Sequence, residues 1–99
     1  MTSKLDSAAR AEAMKGLPDW KACDDRDAIQ RAYKFKDFKQ AFAWMTAAAL
    51  EAEVADHHPE WENVYNRVDV TLTTHDAGGL TEKDIALAKA MDCHAAVFP

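Results

Sequence analysis

Alternating apolar and polar positions in the first half of the chain predict a β-hairpin. In the segment "AIQRAYKF", Ile29, Tyr33 and Phe35 share one parity with Arg31, so that one face of a strand can be buried. A short strand over Trp20–Cys23 precedes it, and the aspartates of "DDRD" tolerate the backbone angles of a turn. We expect these two strands to pair.

A second hairpin is predicted by the segment "NVYNRVDVTLTTH", which is rich in the residues that favour strands. Val68, Val70 and Leu72 would lie on one face. The other face would carry Asp69, Thr71, Thr73 and His75. The segment is long for one strand, so we expect a tight turn around Asn66 and Arg67 to divide it.

Apolar residues spaced three and four apart predict helices. The first helix would span Asp6–Lys15, with Gly16 as a left-handed cap. The second would begin after Asp37, whose carboxylate can cap it, and run to about Asp56. Its predicted apolar face consists of Phe38, Ala41, Phe42, Met45, Ala48, Ala49 and Ala52. Trp44 falls outside this face, which predicts a half-buried position or a contact with another subunit.

The third helix is predicted from a capping box. Thr81 and Asp84 stand three residues apart, ahead of an apolar segment that would be helical over Glu82–Cys93. The element order is therefore α-β-β-α-β-β-α. We predict one α+β domain over residues 1–99, in which three helices pack on a four-stranded antiparallel sheet.

Composition and charge exclude several classes of function. The 99 residues carry a net charge of -5, and the basic residues are scattered, which argues against direct nucleic-acid binding. The longest weakly charged stretch, "AFAWMTAAAL", is far shorter than the roughly 20 residues that span a bilayer, so we expect no membrane insertion. The N-terminus lacks the apolar core of an export signal, which predicts a cytoplasmic protein with Cys23 and Cys93 reduced.

The candidate chemistry centres on the segment "VADHHPEW". His57 and His58 would lie at the end of the second helix, where Pro59 restricts their directions, and His75 would end a strand that can return close to them. Imidazole, with an ordinary pKa of about 6.5, can give or take a proton near neutral pH. Three imidazoles around one pocket favour general acid-base catalysis. The acidic residues expected near them are Glu53, Asp56 and Asp76.

Simpler interpretations of these residues remain open at this point. His57 could interact with the helix dipole, His58 could be a solvated loop residue, and His75 could be a polar strand end. Asp84 could serve only its capping box. Three imidazoles with a nearby acid could also hold zinc, although neighbouring histidines rarely aim at one ion and no HxH or HExxH spacing is present.

The spacing of the candidate residues resembles the signature of the pterin-4a-carbinolamine dehydratase family. Glu53 stands four residues before His57 of the "HHP" triplet, Tyr65 follows, His75 is ten residues beyond it, and Asp84 comes later. The segments "RDAI", "FKDF", "HHPEWENVYNRV" and "TLTTHDAGGLTEKDIALA" are similar to family segments as well.

The resemblance implies a lyase, specifically a hydro-lyase that removes water from 4a-hydroxytetrahydropterin. The product would be a quinonoid dihydropterin, ready for recycling after aromatic amino-acid hydroxylation. The family fold is a four-stranded antiparallel sheet with helices, and it uses neither a metal nor an organic cofactor. Homodimers or homotetramers are implied. Some relatives also act as dimerisation partners of a transcription factor, and a related pterin-binding protein of molybdopterin metabolism is a further alternative.

The resemblance also implies a role for each site residue. His57 and His75 would act on the departing hydroxyl, one for each face of the pterin, while His58 would mainly bind and orient the ring. The pterin's polar edge would be bound by Asp56, Thr73, Thr74 and Asp76. Glu53 would tune His57, Pro59 would fix the direction of the histidine pair, and Asp84 would support the site.

Overall fold

The computed structural model describes residues 3–98 and has three α-helices and a four-stranded antiparallel sheet in the predicted order, so the predicted α+β fold is confirmed. The elements are α1 (Ser7–Met14), β1 (Lys21–Ala22), β2 (Ile29–Lys34), α2 (Phe38–Ala55), β3 (Glu60–Val64), β4 (Arg67–Leu72) and α3 (Glu82–Ala95). A single turn of 3-10 helix, His75–Ala77, lies between β4 and α3. The strands lie side by side in the order β1-β2-β4-β3.

Both predicted hairpins are present, and β2 and β4 join them at the centre of the sheet. Val68, Val70 and Leu72 are buried on the face of β4 that meets the helices, as their alternation predicts. The turn of the second hairpin lies at Tyr65–Asn66, one residue earlier than expected, and Tyr65 adopts a positive φ of 51°.

Helix α2 starts where the sequence predicts, but only part of its predicted apolar face meets the core. Asp37 caps it, accepting from the Gln40 amide at 2.9 Å. The buried residues are Ala41, Trp44, Ala48 and Ala52. Trp44 is 0% exposed and its Nε1 donates to the Met91 carbonyl of α3 at 3.0 Å. The predicted face was right for Ala41, Ala48 and Ala52, which are buried. It was wrong for Phe38 and Phe42, which are 49% and 55% exposed, and for Ala49, which is exposed. Trp44, which the prediction left outside the face, lies in the core.

Two predictions near the N-terminus were also wrong in detail. Helix α1 ends at Met14, and its cap is Lys15 in a right-handed conformation, so Gly16 is not a left-handed cap. Strand β1 is only two residues long, Lys21–Ala22, and Trp20, which was expected to begin it, is buried just ahead of it. The Trp20 Nε1 donates to the Asp92 carboxylate of α3 at 3.0 Å.

The ends of α2 and β4 and the start of β3 meet at one corner of the sheet. Strand β3 begins at Glu60, directly after Pro59. His75 lies in the 3-10 turn just beyond β4, close to its predicted position at a strand end. Within residues 3–98, no helix combines the length and the apolar character needed to cross a bilayer.

Candidate active site

The backbone at the end of α2 turns His57 toward the protein interior. Asp56 closes the helix in the left-handed conformation, with φ 51° and ψ 45°. The His57 amide then donates to the Ala52 carbonyl at 3.0 Å, which is the closing bond of a Schellman motif. This reversal leaves His57 buried and aimed at the start of α3.

A buried polar network receives the His57 ring. Its Nε2 lies 2.5 Å from Oδ1 of Asp84, a carboxylate with no exposed surface. The other oxygen, Oδ2, accepts from the Thr81 amide at 2.9 Å and from the Thr74 hydroxyl at 2.8 Å. The predicted capping box of α3 is therefore present. Asp84 caps the helix with one oxygen and contacts His57 with the other.

The two threonine hydroxyls complete this network. Thr74 donates its hydroxyl proton to Asp84, so the 2.7 Å contact between the Thr74 and Thr81 hydroxyls requires Thr81 to be the donor. Buried polar groups of this kind stabilise a structure when each has a partner. The network holds the His57 ring in one orientation.

His58 points the opposite way, into solvent. Its Nε2 lies 2.9 Å from Oε1 of Glu53, a residue in the last turn of α2. Both side chains are exposed. Glu53 was expected to tune His57, but the ring that it contacts in the structure is that of His58. Glu53 pairs with His58, and Asp84 supplies the carboxylate for His57.

His75 is held by a carboxylate of β3. Its Nε2 lies 3.1 Å from Oε2 of Glu60, and the Glu60 carboxylate also accepts two hydrogen bonds from the Arg26 guanidinium, at 2.7 and 2.8 Å. The Arg26 hydrogen bonds, with a smaller contribution from His75, lower the pKa of Glu60 from its ordinary value to about 2. The same contact raises the pKa of Arg26 above its usual range.

The three histidines line one cavity of about 380 Å³. Its full lining is Asp56, His57, His58, Pro59, Glu60, Thr73, Thr74, His75, Asp76 and Lys83. Small-molecule sites usually have volumes of roughly 300–1,000 Å³, so the cavity lies at the small end of that range. It can present several polar groups to a compact ligand.

The residues predicted to bind the ligand differ in what they can offer. Asp56 and Asp76 are exposed at the rim. The Thr73 hydroxyl donates to the Asp27 carbonyl at 2.9 Å, so toward a ligand it can only accept. The Thr74 hydroxyl is buried in the network with Asp84. Thr74 therefore acts in the cavity wall, and Glu53 does not line the cavity.

Sequence reasoning missed three charged residues at this site, Arg26, Glu60 and Lys83. Glu60 lies at the start of β3, which pairs it with Thr71 of β4. The start of β3 at Glu60 explains its place in the site, because it aligns this residue with the strand that leads to His75. Lys83 lies in the first turn of α3 and lines the cavity, where it adds a positive charge.

The fourth histidine lies elsewhere. His94 contacts Oε1 of Glu51 at 3.1 Å, linking α3 to α2 outside the cavity. In the part of the chain that the structure describes, no three histidine, cysteine, aspartate or glutamate side chains are grouped so as to hold a metal ion.

The fold and the cavity define a class of small α+β proteins with a histidine-lined polar pocket at one corner of an antiparallel sheet. The sequence profile of pterin 4 alpha carbinolamine dehydratase matches residues 3–94. The chain belongs to this family.

Individual relatives are similar over nearly their whole length. A protein of Burkholderia ambifaria strain MC40-6, provisionally named a pterin-4-alpha-carbinolamine dehydratase, is 58% identical over 93% of this chain and 90% of its own. A Bradyrhizobium diazoefficiens protein with the same provisional name is 54% identical over 100% and 99%. A crystal structure from Brucella melitensis, described as a transcriptional coactivator/pterin dehydratase, has 52% identity and a TM-score of 0.92 over 94% of this chain and 99% of its own.

Proposed function

We propose that this protein dehydrates 4a-hydroxytetrahydropterin to quinonoid dihydropterin and water, as a hydro-lyase that supports pterin recycling. The observation that carries the proposal is the cavity of about 380 Å³ that His57, His58 and His75 line together. Membership of the family gives the substrate class. The cavity gives the groups that could act on it.

The reaction needs an acid that protonates the hydroxyl on C4a and a base that accepts the proton from N5, the two atoms of one carbon-nitrogen bond. The bond between C4a and its hydroxyl oxygen breaks, and the oxygen takes up a proton to leave as water. The N5 proton is lost as the C4a–N5 double bond forms, so the protons balance and no oxidant is required. Positioned imidazoles can deliver one proton and accept the other.

The three histidines differ in surroundings, which supports different roles. We assign the two proton transfers to His57 and His75, each of which has a carboxylate at its Nε2. His58 would bind and orient the ring from the solvent side. Asp56 and Asp76 would accept hydrogen bonds from the amino and imino groups of the pterin edge, and Pro59 would restrict the direction of the pair.

The first test is the rate of dehydration of freshly generated 4a-hydroxytetrahydropterin, followed by ultraviolet absorbance with chelator-treated protein. His57→Ala and His75→Ala should each lower kcat by about 10²- to 10⁴-fold, the usual contribution of a proton-transfer group. His58→Ala should mainly raise KM. His94→Ala is the matched control, because this histidine lies outside the cavity, and it should leave the rate unchanged.

Two outcomes would contradict the proposal. If chelated wild type does not accelerate the reaction but binds the pterin, the cavity serves binding, as in a pterin-binding protein of molybdopterin metabolism. If all four histidine variants have equal and small effects, the acid-base assignment is wrong even though turnover occurs.

An exposed apolar surface supports a proposal about assembly. Phe38, Phe42 and Ala49 are exposed along α2, next to the half-buried Met45. The two phenylalanine rings pack together with centroids 5.7 Å apart. Exposed aromatic pairs of this kind favour protein contacts. We infer that this stripe joins copies of the chain into a homodimer or homotetramer. A role as a coactivator or interaction module is the alternative use of the same surface.

A further inference from the structure

Each histidine of the cavity has a carboxylate of its own, and each carboxylate meets the same ring nitrogen. Nε2 of His57, His58 and His75 lies 2.5, 2.9 and 3.1 Å from a carboxylate oxygen, respectively. The hydrogen bond made by one ring nitrogen of an imidazole determines which of the two nitrogens carries the proton. In all three rings, Nδ1 is therefore the nitrogen left for a ligand.

The carboxylate partner of His75 differs from the other two because a charged guanidinium, that of Arg26, holds it. Both oxygens of Glu60 accept hydrogen bonds from Arg26, at 2.7 and 2.8 Å, in the fork geometry that guanidinium and carboxylate favour. The Arg26 contact keeps the pKa of Glu60 near 2, so the carboxylate is ionised and can only accept at neutral pH. A neutral His75 ring must then carry its proton on Nε2.

The loop between β1 and β2 holds Arg26 in place. The Cys23 amide donates to the Ala28 carbonyl at 2.9 Å and closes the loop at its base. The Thr73 hydroxyl donates to the Asp27 carbonyl at 2.9 Å, which ties the loop to the chain just ahead of His75. The loop, β3 and the 3-10 turn therefore meet through Arg26, Glu60 and His75.

We propose that Glu60 and Arg26 are positioning residues for the dehydration reaction: Arg26 orients Glu60, and Glu60 fixes His75 in the tautomer whose Nδ1 faces the substrate. This inference rests on the proposed function for its catalytic part. Its structural part, the tautomer of His75, stands independently of turnover.

The test compares Glu60→Gln with Glu62→Gln. Glu62 is an exposed carboxylate two residues further along the same strand, so the control matches the change in charge. Glutamine keeps the length of Glu60 but removes its charge, and its amide can donate as well as accept. Arg26→Gln and the Arg26→Gln/Glu60→Gln double variant complete a cycle.

Two kinds of measurement are made on each variant. The first is the kinetics of dehydration, which gives kcat and KM, and the second is the tautomer of the His75 ring. The tautomer is read from proton–nitrogen-15 correlations of labelled protein at about pH 8, above the ordinary imidazole pKa. We expect the Nε2–H form in wild type and in Glu62→Gln, and a mixture of both forms in Glu60→Gln. We also expect kcat to fall about tenfold or more in Glu60→Gln, the usual scale for a lost ring-orienting partner, with little change in KM.

The cycle tests the order of action. If Arg26 acts through Glu60, Arg26→Gln should lower kcat less than Glu60→Gln does, and the double variant should be no slower than Glu60→Gln alone. Additive losses would assign Arg26 a separate role and overturn this part of the inference.

Failure of the inference and failure of the proposed function are distinguishable. An active wild type with Glu60→Gln equal to Glu62→Gln in kcat and in tautomer overturns the inference and leaves the dehydratase proposal intact. An inactive wild type overturns the proposed function, and the spectra then decide alone whether Glu60 fixes the His75 ring. A wild-type ring protonated on Nδ1 overturns the inference in either case.

Discussion

At the scale of single residues, His57 combines a buried structural contact with a proposed catalytic one, and two substitutions can separate them. His57→Ala would leave the Asp84 carboxylate with a missing partner in the interior. Loss of one partner of a buried polar pair costs about 1–3 kcal/mol of unfolding free energy, and more for a charged group. His57→Gln keeps an N–H that can donate to Asp84 but cannot transfer a proton.

We therefore expect both His57 variants to lose most activity, while His57→Gln retains more of the stability. Chemical denaturation gives the unfolding free energy, and the dehydration assay gives kcat. Equal stability of the two variants would mean that the contact with Asp84 contributes little to folding. Full activity of His57→Gln would exclude His57 from proton transfer.

The lowered pKa of Glu60 predicts a dependence of stability on pH. A carboxyl group with a folded pKa of about 2, below its ordinary value of 4.5, stabilises the folded state fully above pH 4.5. This contribution is lost as the pH falls from about 4.5 to about 2. Because the pair is exposed to solvent, we expect the contribution to be small.

The measurement is the difference in unfolding free energy between wild type and Glu60→Gln at several pH values. The difference should be constant at neutral pH and should shrink below about pH 4.5. Glu62→Gln provides the comparison for a general change of net charge. A difference that grows on acidification would contradict the predicted direction.

Residue types and spacing predicted most of the lining of the site but few of its partners. His57, His58, His75, Asp56 and Asp76 line one cavity, as expected from the ends of two elements. The pairing of each carboxylate with its imidazole depends on the left-handed turn after α2 and on the residue at which β3 starts. The spacing of the histidines and acidic residues along the sequence predicts neither feature. Glu53 was accordingly expected beside His57 but contacts His58, and the contact of Glu60 with His75 was missed.

At the scale of elements, α2 shows where pattern reading fails. Alanine occupies seven of its 18 positions, and so small a side chain gives little contrast between faces. The two phenylalanines therefore dominated the predicted stripe. The decisive contact is the hydrogen bond from the Trp44 indole to the Met91 carbonyl. No periodic pattern within α2 indicates this contact, because it forms only when α3 packs against α2.

A pair of alanine substitutions tests the orientation of α2. Trp44→Ala should lower the unfolding free energy by about 3–5 kcal/mol, since it empties a large volume in the core. Phe42→Ala, at a position 55% exposed, should change the stability of the monomer by about 0.5 kcal/mol. Denaturation at low protein concentration is the measurement, and a reversed order would restore the face predicted from the sequence.

At the scale of the whole molecule, the element order and the sheet were predictable because strand alternation and helix caps are local signals. Val68, Val70 and Leu72 mark the buried face of β4 through their parity alone. The packing of α2 against α3 was not predictable, because it is fixed by contacts between residues far apart in the chain, such as Trp44 with Met91.

The proposed self-association predicts that a charge in the aromatic stripe dissociates the assembly. Phe42→Glu places a carboxylate beside Phe38 on the exposed side of α2, where it would lose hydration in an interface. Sedimentation should give a smaller mass than for wild type, with the circular dichroism spectrum unchanged. Lys39→Glu, an exposed change of charge on the same helix, is the comparison. A wild type that already sediments as a monomer would exclude this assembly.

The unequal burial of the four histidines makes the molecule suited to chemical footprinting. Side-chain exposure is 9% for His57, 59% for His58, 76% for His75 and 38% for His94. An acylating reagent such as diethyl pyrocarbonate should therefore modify three histidines quickly and His57 only when the structure opens. A bound pterin should shield His58 and His75 while His94 continues to react. Mass spectrometry of the acylated peptides would then map the occupied cavity in protein that is not turning over.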